Sequence, residues 1–336
     1  MLWRNARKTM LLSLLGFVLV AGCKREKTPN GRVEFERYGM GDVRDVVIVS
    51  DSAERDVAMY LASFLSIDTF YTPHPEPLFF VRVVDIATYQ DSLRGFRNTI
   101  VLATDGSASL NLFKEAFGGS VKYGIRSRKE ALTEGGYMVG IYEPDLAVLK
   151  KVIDDSAFVI RNNLLARIYD QYRHMEYFAG VRKDIPKELA KKYGFTLELP
   201  NGYAYAVQDT DFVCLAKHYP DRFMFFYISD HKRSLDPDSL MALRDSLTRK
   251  YYDGDYILRN LCVVEADTFL GHNAVRVTGP WQNDSTVMGG PFRFYAFNAN
   301  NRFYMVDVAL YAPDKIHKLG YIMRMETVIR TMRFTK

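Results

Sequence analysis

The chain has 336 residues, 48% of them hydrophobic and 14% aromatic, with 45 Lys and Arg against 40 Asp and Glu. Three of those cations, Arg4, Arg7 and Lys8, fall in the first 22 residues, leaving 42 against 40 and no concentrated basic stripe, which excludes nucleic-acid binding. The aromatic share suits a packed globule, not a disordered stalk, and the length beyond residue 22 allows two domains with cores of their own.

The N-terminus carries a basic start, an apolar stretch from Met10 to Val20, and small residues Ala21 and Gly22 before Cys23. The stretch is shorter than the ~20 apolar residues that span a bilayer. Val20-Ala21-Gly22-Cys23 resembles the lipobox of bacterial lipoproteins, in which the chain is cut before the cysteine and that residue is acylated. Acyl chains such as palmitate contribute roughly 0.8 kcal/mol per buried methylene, so Cys23 is expected to anchor the chain in a membrane. An ordinary secretory signal with an incidental cysteine is the other reading. Residues 24 to 41 carry Pro29, Gly31, Gly39 and Gly41 and read as a flexible tether.

The first strand expected is VVIVS (46 to 50), followed by a helix with Val57, Leu61, Phe64 and Leu65 at helical spacing behind the capping candidates Ser50, Asp51 and Ser52. Further strands fall near 78 to 84, 98 to 103 and 137 to 142. The spacing of Leu146, Leu149, Ile153, Ala157, Ile160, Leu164 and Ile168 predicts a long helix over about 144 to 173, with Pro144 at its first position and Asp145 complementing its dipole. A boundary is expected near Gly180. Beyond it come a short helix closed by Gly194, strands at FTLELP, FVCLAKHY and RFMFFYIS, and a helix opened by Asp236-Pro237-Asp238. Strands near 260 to 268, 272 to 279, 291 to 298 and 303 to 311 and a last helix carrying Ile316, Leu319, Met323 and Ile329 complete the chain.

This order predicts an α+β protein of two α/β sandwich domains, the C-terminal one an antiparallel sheet covered by helices. The turn near LPNGY and the terminal RTMRF (330 to 334) resemble the PsbP-like fold. The expected organisation is a lipoprotein signal peptide (1–22), a tether (23–41), an N-terminal α+β domain (42–179) and a C-terminal PsbP-like domain (180–336). LPNGYAYA (199 to 206), GPW (279 to 281), MGGPF (288 to 292), NNRFYMVD (300 to 307) and YAPDK (311 to 315), in that order behind a lipobox, resemble the Bacteroidetes lipoproteins of domain of unknown function 4837. That resemblance implies an envelope location and an architecture, and no catalytic residues. Surface-bound lipoproteins of that group carry acidic residues after the acylated cysteine. Here Lys24, Arg25 and Lys27 surround Glu26, which implies the outer membrane with the protein facing the periplasm.

The chemistry-bearing motifs are few. G-x-S-x-G, H-E-x-x-H and C-x-x-C do not occur, and the six histidines show no ligand spacing, so neither a metal nor a cofactor is expected. TDGSASL (104 to 110) reads as a turn and helix cap before it reads as an anion loop. Asp253-Gly254-Asp255 reads as a solvated turn, since a full calcium loop is missing. Cys214 and Cys262 lie on strands expected in one domain, and form either a disulfide or two buried thiols according to register. Asp-Ser/Thr-apolar triplets resemble the O-glycosylation acceptor of this bacterial group, with Ser285, Ser52 and Ser92 as candidate acceptors and local capping as the alternative.

The segment from Thr278 to Phe292 stands apart. Trp281, the only tryptophan after residue 22, is followed by Gln282, Asn283 and Asp284, then by Gly289, Gly290 and Phe292. An exposed aromatic beside amide and carboxylate groups suits a sugar ring or an interface hot spot. A hairpin with a core-plugging Trp is the competing reading. The function expected is a non-enzymatic binding or assembly module in the cell envelope, with an envelope protein or glycan as partner. The alternative is an enzyme acting on cell-wall or other envelope glycans, which calls for two facing carboxylates.

Overall fold

The computed structural model describes residues 39–71, 75–119 and 122–335, so Cys23, the residue expected to be acylated, lies outside the described residues. The first sheet comprises β1 (Asp45–Val49), β2 (Phe80–Val84), β3 (Asn98–Thr104), β4 (Gly124–Lys129) and β5 (Tyr137–Glu143), in the spatial order β2-β1-β3-β5-β4. Four strands run parallel, and β4 pairs antiparallel to β5 at one edge. Parallel strands are covered on both faces, and every residue of β3 and β5 is accordingly buried. The period of two sorts them. Ile48, Ile100 and Ile141 pack under the helices α1 (Arg55–Leu65) and α3 (Leu146–Tyr177), while Val49, Val101 and Met138 pack under α2 (Ser109–Phe117). Gly140 lets α2 approach closely, because a Cβ there would sit 2.4 to 2.7 Å from the rings of Phe117 and Phe113.

Helix α3 keeps the expected stripe from Leu149 onward, with Leu149, Ile153, Ala157, Ile160, Leu164 and Ile168 all buried, while Leu146 is exposed and Pro144 stands outside the helix, before its N-cap. Asp145 does more than complement a dipole. It is the N-cap, its Oδ1 accepting from the N–H groups of Ala147 and Val148 at 2.9 Å. The caps expected for α1 stand one turn too early: the helix starts at Arg55, and the buried Glu54 accepts instead from the Asp51 N–H (3.1 Å) and the Thr104 hydroxyl.

After α4 (Asp184–Tyr193), closed by Gly194 in the left-handed region (φ +75°), comes the second sheet. Its strands are β6 (Ala204–Gln208), β7 (Phe212–Lys217), β8 (Asp221–Ser229), β9 (Tyr256–Ile257), β10 (Val263–Phe269), β11 (His272–Asn283), β12 (Met288–Ala299) and β13 (Arg302–Tyr311). The order is β6-β7-β8-β13-β12-β11, every pair antiparallel, with β9 and β10 both pairing with β11. Helix α5 (Pro237–Tyr251), capped by Asp236 and started by Pro237 as expected, covers one face over Phe225, Phe294 and Met305. Helix α6 (Leu319–Ile329) covers the other with α3 and α4, over Met224, Phe226 and Val306. The α+β class and the helix-covered antiparallel sheet therefore hold. The core on the α3 and α6 side is continuous from Ile48 of the first sheet to Val306 of the second.

The stretch from Thr278 to Phe292 takes the hairpin form of the competing reading. β11 and β12 continue in register to Asn283 opposite Met288, leaving only 284 to 287 as the turn.

Candidate ligand cleft

Asn283 builds the turn. Its Oδ1 accepts from the N–H groups of Ser285 (2.9 Å) and Thr286 (3.1 Å), and its Nδ2 donates to Asp255 Oδ1 at 2.7 Å, so this buried amide is spent on architecture. The turn projects Val287, at φ +54° and 88% exposed, into solvent. Trp281 pairs with Gly290 on one side and Ile257 on the other. Gly290 is required by packing: a Cβ there would lie 1.9 Å from the Leu310 carbonyl oxygen.

A cleft of about 630 Å³ opens between this hairpin end and the segment before β10. Leu258, Leu261, Pro280, Val287 and Met288 form its apolar walls, and Trp281 lies against it. Trp281 is 5% exposed, which corrects the expectation of an exposed aromatic: the pairing with β9 and the packing under α5 bury the ring. Its Nε1–H nevertheless has no hydrogen-bond partner. A buried donor left unpaired costs about 1–3 kcal/mol. At the rim, Tyr256 donates to Asp284 at 3.0 Å, and Gln282 Nε2 donates to Asp284 at 3.0 Å and to the Tyr256 oxygen.

Of the seven residues singled out in this stretch, Trp281, Gln282, Asn283, Asp284, Gly289 and Gly290 line the cleft. Phe292 does not: it is fully buried on the α5 side, beneath the Arg244 guanidinium at 4.1 Å. Cys214 and Cys262 are free thiols, because β8, β13, β12 and β11 stand between β7 and β10. Burial pushes the Cys214 thiol up to about 12 and the Cys262 thiol up to about 11. Ser52, Ser92 and Ser285 are all exposed. The TDGSASL segment is a turn, its Ala108 N–H already donated to Asp51 and its Thr104 N–H to Ser107.

Four buried charge centres among the described residues escape the sequence, the first being the pair of Arg44 with Glu76. Arg244 pairs with Asp307 at 2.7 Å in the α5 core. Glu176 accepts from Lys217, Arg222 and Arg324. Glu326 accepts from Arg293 (2.8 Å), Tyr169 (2.7 Å) and Tyr295. Their partners lie up to 157 residues apart, and no local spacing announces them.

This second sheet, with its helices and cleft, is the part of the chain that a family model covers. Residues 182–331 match the domain of unknown function DUF4837. The DUF4837 region thus runs from the start of α4 through α6 and contains every lining residue of the cleft except Pro75. Among curated proteins, no sequence matches. Solved structures similar to this chain include a crystal structure from Bacteroides thetaiotaomicron (8% identity, 43% of this chain and 46% of that one, TM-score 0.29). This chain thus covers less than half of that protein's length. The Ran-binding protein Mog1p of Saccharomyces cerevisiae is similar at 8% identity over 43% of this chain and 91% of that one, with a TM-score of 0.30. Cyanobacterial PsbP from Synechocystis is similar at 10% identity over 42% and 86%, with a TM-score of 0.29.

Proposed function

We propose that this chain is a non-enzymatic binding or assembly module of the cell envelope, anchored through Cys23 in the outer membrane, facing the periplasm, and engaging its partner at the Trp281 cleft. The observation that carries the binding reading is the unpaired Nε1–H of Trp281 beside an apolar cleft of about 630 Å³. Such a site suits an apolar group bearing a hydrogen-bond acceptor. Asp284 is the one carboxylate among the described lining residues, and Tyr256 and Gln282 already hold it, so the pair of facing acids that glycan cleavage needs is not assembled there. The support for the anchor is the Val20-Ala21-Gly22-Cys23 pattern and the basic residues after it.

The test is a crosslinked pulldown from membranes with Trp281→Phe, which keeps an aromatic ring and removes the donor. Capture should fall while the melting temperature drops by less than in Trp281→Ala; undiminished capture would remove the cleft from the proposal. Trp281→Ala is the control for packing, expected to lose roughly 3–5 kcal/mol of stability. In the same cells Cys23→Ala should move the protein to the soluble envelope fraction, and persistence in the membrane would sink the anchor.

A further inference from the structure

A second cleft, of about 770 Å³, lies between the first sheet and α6 and shares no lining residue with the Trp281 cleft. We propose that it binds an anionic head group, a phosphate or carboxylate, carried on an apolar body. Arg44, Arg82, His317 and Arg324 converge on it from three segments, the turn before β1, β2, and α6 with the residues before it. The Phe80 ring contacts two of them, the Arg44 guanidinium 4.8 Å and the His317 ring 4.6 Å from its centroid.

The two lining carboxylates, Asp42 and Asp45, form no ion pair with these cations. Asp42 Oδ1 accepts from the Arg44 N–H at 3.2 Å and Asp45 Oδ2 from the Asp42 N–H at 2.9 Å, so both are committed to the turn that leads into β1. Arg44 is 2% exposed, gives one terminal nitrogen to the Pro77 carbonyl and ion-pairs through the other with Glu76, whose carboxylate also lies 3.9 Å from His317 Nδ1, and its Nε–H has no partner. Arg324 shares the single buried carboxylate of Glu176 with Lys217 and Arg222, so three cations divide one negative charge. Arg82, on the exposed face of β2, pairs with no carboxylate among the described residues. Forked guanidinium donors in a partly desolvated cleft match the planar or tetrahedral oxygens of carboxylate and phosphate. Val81, Met175 and Tyr321 supply an apolar wall for the body that carries the charge.

The experiment is calorimetric titration of the full chain with phenyl phosphate, inorganic phosphate and phenol, repeated on Arg82→Ala and Arg82→Glu. Phenyl phosphate should saturate one site, more tightly than inorganic phosphate, and phenol should not bind. Both variants should weaken phenyl phosphate about ten- to a hundredfold, the loss of one charge-assisted hydrogen bond, with an unchanged melting temperature because Arg82 is exposed and unpaired. Trp281→Phe should leave this titration unaltered. Sedimentation of the Cys23→Ala chain with phosphatidylglycerol vesicles, and its loss in Arg82→Glu, would identify the anion as a lipid head group; phenyl phosphate binding without sedimentation would identify a soluble anion. No saturable phenyl phosphate binding, equal binding of phenol, or full affinity in Arg82→Glu would overturn the proposal.

Discussion

Glu326 shows how one side chain ties the second sheet to its cover. Burial alone raises its carboxyl, but Arg293 and Arg330, with hydrogen bonds from Tyr295 and Tyr169, outweigh that and hold it down to about 2 against an ordinary 4.5. A folded value below the unfolded one contributes stability that is present above about 4.5 and lost as pH falls toward 2. Glu326→Gln removes the charge and leaves Arg293 and Arg330 around an uncharged amide. The cost should be about 3–5 kcal/mol, the usual result of breaking a buried pair. Urea midpoints measured across this pH range should also fall less steeply in the variant than in the parent; parallel acid limbs would show that Glu326 does not carry this pH dependence. Trp281 shows the opposite economy, a buried donor with no acceptor in its own chain.

At the scale of elements, α3 has the most to lose from its first turn. It runs 32 residues, about 48 Å at 1.5 Å per residue, and serves the cores under both sheets. Asp145 satisfies two of its orphan N–H groups at once. Asp145→Ala should therefore lower stability by about 1 kcal/mol in a denaturant melt, and Asp145→Asn, which can still accept, should recover most of it. Loss confined to neither variant would place the start of α3 under the control of packing alone. The β11–β12 hairpin behaves differently. Its turn is held by a single buried amide, Asn283, whose partners come from both the turn and the segment around Asp255.

Across the whole molecule, the elements on either side of Gly180 share one hydrophobic core, in which Leu61 and Ile100 belong with Phe226 and Ile329. Polar contacts cross the same divide: Glu76 accepts from the N–H groups of Lys318 (2.7 Å) and Leu319 (3.0 Å), capping α6 from 242 residues away. Such a core should unfold as a unit. Residues 39 to 335 are expected to give one calorimetric transition with equal van't Hoff and calorimetric enthalpies, and two separable transitions would show that the first sheet folds independently.

What the sequence by itself determined was local. The α3 stripe, the Asp236-Pro237 start of α5, the Gly194 cap and the apolar runs of β3, β5 and β8 all rest on interactions within about one turn or one pleat, and all appear where the residue pattern puts them. The stretch around Trp281 was also legible as unusual, from its glycines and amides. Only the tertiary structure decided that β9 would pair along Trp281 and bury it, that Phe292 would turn away from the cleft, and that Cys214 and Cys262 would stay apart. It alone brought Arg44, Arg82, His317 and Arg324 to one cleft. The reason is physical: propensity and periodicity report neighbours in the chain, whereas the burial and pairing of a polar group depend on which distant segment arrives beside it.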